Sequence, residues 1–130
     1  METYREKRPW GEFHQYTKHE VSTVKTLIVN PGESLSDQRH QFRTELWISH
    51  TVGGRVHLEY ADGQKEVVEL IVGTEVEIPV GTWHRLECLP DAPAPIRLTE
   101  VSFGKFDEND NERRSDKYGR SSPTPRSANL

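Results

Sequence analysis

From residue 21 onward the chain alternates short apolar runs with breaks rich in Gly and Pro. Residues 21–29 are dominated by β-branched side chains and end at Asn30-Pro31-Gly32, a turn signal. Further runs with strand character cover residues 45–51, 55–60, 66–72, 75–79, 84–88 and 96–103. They are separated by turns at Gly53-Gly54, Asp62-Gly63, Gly73, residues 79–81 and residues 90–95. No window carries apolar residues at helical spacing. Many short strands joined by Gly/Pro turns predict an all-β domain, a sandwich or a barrel.

The flanks are different. Residues 1–20 are polar, with Pro9, Trp10 and Phe13 as possible anchors, and are expected to form an arm packed on the barrel. The barrel itself is expected at residues 21–106. After it the chain becomes dense in charge, which by composition alone reads as a solvated tail. Residues 121–130, with their Ser and Pro, are expected to be disordered. Only 32% of the 130 residues are hydrophobic and 29% are charged. The flanks account for most of that polarity, so the centre can still build a core.

Charge and composition then exclude several classes. A net charge of -4 and a pI near 5.9 argue against a nucleic-acid-binding module. No apolar run approaches the roughly 20 residues of a membrane-spanning helix. The opening segment lacks the apolar stretch of a secretory signal. Cys88 is the single cysteine, so neither an intrachain disulfide nor a cysteine-based zinc site is available. A reducing, cytoplasmic setting is expected.

Six histidines remain to be explained. Gln38 and His40 are two residues apart, which places them on one face of an extended segment. Glu45 opens the next strand-like run, where a carboxylate among apolar residues needs a partner. His84 follows the Pro79-Val80-Gly81 turn. Histidines in β proteins are commonly surface or hydrogen-bonded residues, and Gln38 alone would pass as polar surface. Together, however, the four offer an amide oxygen, two imidazoles and a carboxylate. Such a set suits Zn, Mn, Fe or Co and leaves coordination positions open.

The two segments that carry these residues resemble the cupin motifs. Gly32, Gln38, His40 and Glu45 fit the form G-x5-[HQ]-x-H-x4-E, and Gly73, Pro79, Gly81 and His84 fit G-x5-P-x-G-x2-H. The Gln at the first ligand position narrows the resemblance to type II phosphomannose isomerases. These often form the C-terminal cupin of mannose-1-phosphate guanylyltransferase/isomerase enzymes. Arg8-Pro9-Trp10-Gly11, the pair Val24-Lys25, and the closing set Glu108, Asp110, Arg113, Asp116, Tyr118, Gly119 and Arg120 match that family as well. Around the ligands three positions depart from its pattern, and elsewhere Cys88 stands where the family usually has Asn. Asp37 replaces an apolar residue, and Phe42 and Leu46 replace histidines.

The resemblance implies a cupin-type double-stranded β-helix, or jelly-roll barrel. It also implies that residues 107–120 are ordered against the barrel. The implied activity is interconversion of mannose 6-phosphate and fructose 6-phosphate by proton transfer through an enediol. The implied cofactor is a divalent metal on Gln38, His40, Glu45 and His84, with zinc first and Mn, Co, Fe or Ni as alternatives. Lys25, Arg43 and Arg113 are the catalytic candidates. Arg85, Arg120 and Tyr118 are candidates for holding the sugar phosphate, although strand alternation points Arg85 away from His84. The general base is Lys25 or a metal-bound water. Trp10, Trp47 and Trp83 are expected to serve core or rim packing. A homodimer is expected, with a separate guanylyltransferase as a possible partner. The alternatives are a non-catalytic sugar-phosphate-binding or accessory cupin, and another cupin enzyme such as a sugar epimerase or a dioxygenase.

Overall fold

The computed structural model describes residues 3–105, 107 and 109–115. Among the described residues there are eleven β-strands. They are β1 (Tyr4–Arg8), β2 (Gly11–Gln15), β3 (Ser22–Val29), β4 (Asp37–Arg39), β5 (Arg43–Ser49), β6 (Gly54–Glu59), β7 (Lys65–Leu70), β8 (Glu75–Ile78), β9 (Trp83–Cys88), β10 (Ile96–Gly104) and β11 (Glu112–Ser115). No helix of the described residues is long and apolar enough to cross a membrane.

Two antiparallel sheets face each other. One has the order β3-β10-β5-β8 and the other β11-β4-β9-β6-β7. On β6 and β9 every second residue is buried, as expected of strands with one wet face. Val56, Leu58, Leu86 and Cys88 come from that sheet, and Trp47, Val76, Ile78, Ile96 and Leu98 come from the other. Their side chains form the core between the layers. Burying each large apolar side chain contributes about 1.5–3 kcal/mol.

β5 is buried along both faces, with only Thr44 partly exposed. Its inner residues are Arg43, Glu45, Trp47 and Ser49. Leu46 and Ile48 point the other way and join Val101, Phe103 and Tyr16 in a second cluster. Tyr16 immediately follows the β1-β2 hairpin, and Arg5 of that hairpin pairs with Glu75. The N-terminal arm therefore lies on the outer face of this sheet.

Seven of the strands coincide with the runs read from alternation. β1, β2, β4 and β11 do not, because they are short and polar and are defined by backbone pairing alone. The β1-β2 hairpin turns at Pro9-Trp10, with Arg8 opposite Gly11. That turn leaves Trp10 72% exposed, so Trp10 is neither core nor packed rim. The Gly53-Gly54 pair answers a steric need. A Cβ at Gly53, where φ is 98°, would lie 2.6 Å from the Ala92 Cβ, and one at Gly54 would lie 2.9 Å from Ile96.

Candidate metal centre

The two sequence segments meet by backbone pairing. Gly32 N–H donates to the Cys88 carbonyl and Leu35 N–H to the Leu86 carbonyl. The strand then continues into β4, where Gln38 sits opposite His84. Gly81, with φ at 79°, donates its N–H to the His40 carbonyl at 2.9 Å. The turn between β8 and β9 thus holds the end of β4 in place. Directly opposed residues share a face, so Gln38 and His84 both point inward. Glu45 reaches them from β5 on the facing sheet.

His40, Glu45 and His84 are all buried, and their ligand atoms lie within 4.8 Å of one another. The hydrogen bonds around them fix which atoms are offered. His40 Nδ1–H donates to the Asp110 carbonyl at 2.7 Å, and His84 Nδ1–H donates to the Thr82 carbonyl at 2.9 Å. A carbonyl only accepts, so each neutral ring must carry its lone pair on Nε2. Both Nε2 atoms lie 3.5 Å from Glu45 Oε1. The other carboxylate oxygen, Oε2, is held by Arg43 Nε and Ser102 Oγ, each at 3.2 Å. Glu45 Oε1 and His84 Nε2 have no hydrogen-bond donor. Arg43 approaches His40 Nε2 at 3.3 Å, long for a bond of that kind.

Three electron-pair donors facing one another in a dry interior repel unless a cation lies between them. The set therefore fits a divalent ion, with backbone carbonyls orienting both rings. Protonation favours the same conclusion. Burial pushes the His84 imidazole down to about 4, against the pull of Glu45. Burial alone would raise the Glu45 carboxyl. The contact with His40 and the charges of His84, His40 and Arg43 outweigh it and hold the group down to about 2. At neutral pH the imidazole of His84 is neutral and Glu45 is ionised, the forms a metal requires.

The other sequence candidates are placed as follows. Gln38 faces inward, and its Oε1 accepts from Ser36 Oγ at 3.1 Å, with a second lone pair remaining. Arg43 is buried against the carboxylate and also donates to the Asp107 carbonyl at 3.2 Å. Arg113 lies opposite Gln38 on β11, in the same inward row. Lys25 is on the inner parity of β3 but at a sheet edge, opposite Glu100 rather than beside the histidines. Arg85 does not join the site. It lies on the outer face of β9 and pairs with Glu87 at 3.3 Å, as alternation from His84 requires. Trp83 is on that same outer face, with the guanidiniums of Arg39 and Arg114 4.6 Å and 4.5 Å from its ring centre. Tyr118 and Arg120, residues 116–120 and the tail at 121–130 lie outside the described residues.

Two residues of the site are not among its sequence candidates, Asp110 standing in the sequence reading only as part of the closing motif. Asp110 is buried and accepts from the backbone N–H of Gln41 at 2.8 Å and of Phe42 at 2.9 Å. It fixes the loop that carries His40. Glu100 is buried on the inner face of β10, opposite Trp47 on one side and Lys25 on the other. Burial, then the Glu45 charge, raises its carboxyl to about 7, against the pull of Lys25. The signal for Glu100 was available. It shares parity with Ile96 and Leu98 in an apolar run, the same oddity that marked Glu45.

A family model described as "Mannose-6-phosphate isomerase C-terminal" matches residues 1–117. The chain belongs to this family. The mannose-1-phosphate guanylyltransferase of Salmonella montevideo is 39% identical over 114 residues, covering 87% of this chain and 23% of that protein. The alginate biosynthesis protein AlgA of Pseudomonas fluorescens is 33% identical over 124 residues, covering 95% of this chain and 24% of that protein. The chain thus spans about a quarter of the length of these curated relatives. Among solved structures, the capsular polysaccharide assembling protein CapF of Staphylococcus aureus aligns with a TM-score of 0.58 at 21% identity, over 85% of this chain and 33% of that one. Oxalate decarboxylase of Bacillus subtilis aligns with a TM-score of 0.62 at 18% identity, over 73% of this chain and 24% of that one. The fold is that of the cupins.

Within the mannose-6-phosphate isomerase C-terminal family, the three departures sort by face. Asp37 points outward and pairs with Arg114 at 2.8 Å. Leu46 points outward into the cluster with Tyr16. Neither borders the histidines. Phe42 lies in the turn between β4 and β5, 37% exposed.

Proposed function

We propose that this domain is a metal-dependent isomerase that interconverts mannose 6-phosphate and fructose 6-phosphate by moving a proton between C1 and C2. The observation that carries this reading is the buried convergence of His40 Nε2, His84 Nε2 and Glu45 Oε1 in a chain of this family. Gln38, facing inward opposite His84, is proposed as the fourth ligand. The bound ion, with zinc the first candidate, would act as a Lewis acid toward negative charge developing on the C1 or C2 oxygen.

The chain's own residues supply the rest. Arg43, held against Glu45, is proposed to orient the substrate oxygens next to the ligand atoms. Lys25 and Arg113 end the inner rows of the two sheets and are proposed to take the phosphate, for which the Arg fork is well suited. Tyr118 and Arg120 are kept as substrate-binding proposals on family grounds. Arg85 is withdrawn from that role by its outward placement. We also propose a cytoplasmic setting, a homodimer and a separate guanylyltransferase as partner, the last because the longer relatives are named for that activity.

The test is a coupled assay of mannose 6-phosphate turnover by the purified chain, before chelation, after it, and after metal is restored. Turnover that is lost and recovered with the metal supports the proposal. No turnover with any divalent metal contradicts it, and sugar-phosphate binding without turnover would favour the accessory-cupin reading.

A further inference from the structure

Three carboxylates are buried among the described residues: Glu45, Glu100 and Asp110. Glu45 faces the two imidazoles, and Asp110 caps the backbone at residues 41–42. Neither task involves Glu100. Its place is defined by two rows of directly opposed residues. On one sheet the inner row reads Lys25, Glu100, Trp47, Val76. On the other it reads Arg113, Gln38, His84, Leu58. The rows touch where the Trp47 ring meets the His84 ring edge-on, with centres 5.5 Å apart. Glu100 is the next residue beyond Trp47 in its row, and Ser102, two residues on along β10, is opposite Glu45. Diagonal neighbours of this kind are roughly 7–8 Å apart, within reach of long side chains, so the Glu100 side chain borders the site. The ligand atoms that lie within 4.8 Å of one another come from His40, Glu45 and His84 and do not include it.

Resting on the isomerase reading above, we propose that Glu100 is the residue that carries the proton between C1 and C2. The Glu100 carboxylate takes the C2 proton of the aldose. The C2–H bond breaks, an O–H bond forms on the carboxyl, and the electron pair makes the C1=C2 bond of the enediolate as the C1 carbonyl opens. A second proton passes from the C2 hydroxyl to the C1 oxygen. The carboxylic acid then returns its proton to C1 and the C2 carbonyl closes, so nothing is gained or lost.

A base that both takes and returns a proton works best when its pKa is near the working pH. The surroundings of Glu100 provide for that. Burial and Glu45 favour the neutral acid, while Lys25 across the strand pair, Arg43 and His40 favour the carboxylate. This assigns to Glu100 the role that the sequence left between Lys25 and a metal-bound water. Lys25, exposed at the sheet edge, is left for the phosphate.

The test compares the full chain and Glu100→Gln, both loaded with Co2+. Four quantities are measured: Co2+ affinity by calorimetry and visible absorption, affinity for mannitol 6-phosphate, kcat, and incorporation of solvent deuterium at C2 of mannose 6-phosphate. We expect both affinities to stay within about threefold, and kcat and deuterium incorporation to fall together by at least about 100-fold, the usual scale of a lost general base. A smaller loss of deuterium incorporation, or a collapse of either affinity, would overturn the proposal and mark Glu100 as structural. A wild-type chain that binds Co2+ and mannitol 6-phosphate yet never turns over contradicts the isomerase reading itself, and the proposal with it.

Discussion

The donor set at His40, Glu45 and His84 depends on residues that offer no ligand atom themselves. Asp110 holds two backbone N–H groups with its carboxylate and the His40 ring with its carbonyl. Asp110→Ala should destabilise the protein by about 2–3 kcal/mol, since two buried donors lose a charged acceptor. It should also weaken metal affinity by about 10–100-fold, because the loop at residues 41–42 that places His40 and the carbonyl holding its ring loses its anchor. Denaturant titration and calorimetric metal titration check the two effects separately. Glu100 gives a pH prediction for the metal-free protein. Its carboxyl is raised to about 7 in the fold, so the folded state holds its proton more tightly than the unfolded chain does. The stabilisation is full below the ordinary carboxylate range and is lost as pH rises from about 4.5 through about 7. Glu100→Gln should remove that loss and leave the metal-free protein more stable than wild type above pH 7, by on the order of 2–3 kcal/mol. Thermal melts of both proteins from pH 4 to pH 8 measure it. Equal pH slopes would show that Glu100 is not a buried titrating group.

At the scale of elements, face decides consequence. Leu46 is next in sequence to a metal-ligand candidate, yet its side chain is on the other side of β5. Leu46→His should therefore cost roughly 2–3 kcal/mol by placing a polar ring in an apolar cluster, and leave metal affinity unchanged. A change in metal affinity without loss of stability would reverse this reading. The same logic explains what the sequence revealed. Seven strands announced themselves as short apolar runs between Gly/Pro turns, and the spacing of residues 38 and 40 already put those two on one face. Alternation also foretold that Arg85 would leave the site. The strands β1, β2, β4 and β11 carry no apolar stripe, and only their pairing partners define them. Asp110 was visible only as part of a closing pattern of charged residues. Its task depends on contacts with residues about 70 positions away.

At the scale of the molecule, low hydrophobicity is explained by placement. Two sheets enclose one apolar core, and at one side of that core the inner faces become polar. The two inner rows carry Lys25 and Glu100 on one sheet, and Arg113, Gln38 and His84 on the other. The strand pattern left a sandwich or a barrel open, and the resemblance to the cupin motifs pointed to the barrel. That its polar inner residues lie in two facing rows, joined at Trp47 and His84, required the register of both sheets.

The central claim is that His40, Glu45 and His84 hold a metal ion. Calorimetric titration of the metal-free chain with Zn2+, beside His84→Ala, tests it most directly. We predict one ion per chain for the wild type. For His84→Ala we predict an unchanged β-sheet circular dichroism spectrum and affinity reduced by at least about 100-fold, consistent with the loss of a direct ligand. A wild type that binds no Zn2+, or a His84→Ala variant that binds it equally well, would contradict the account.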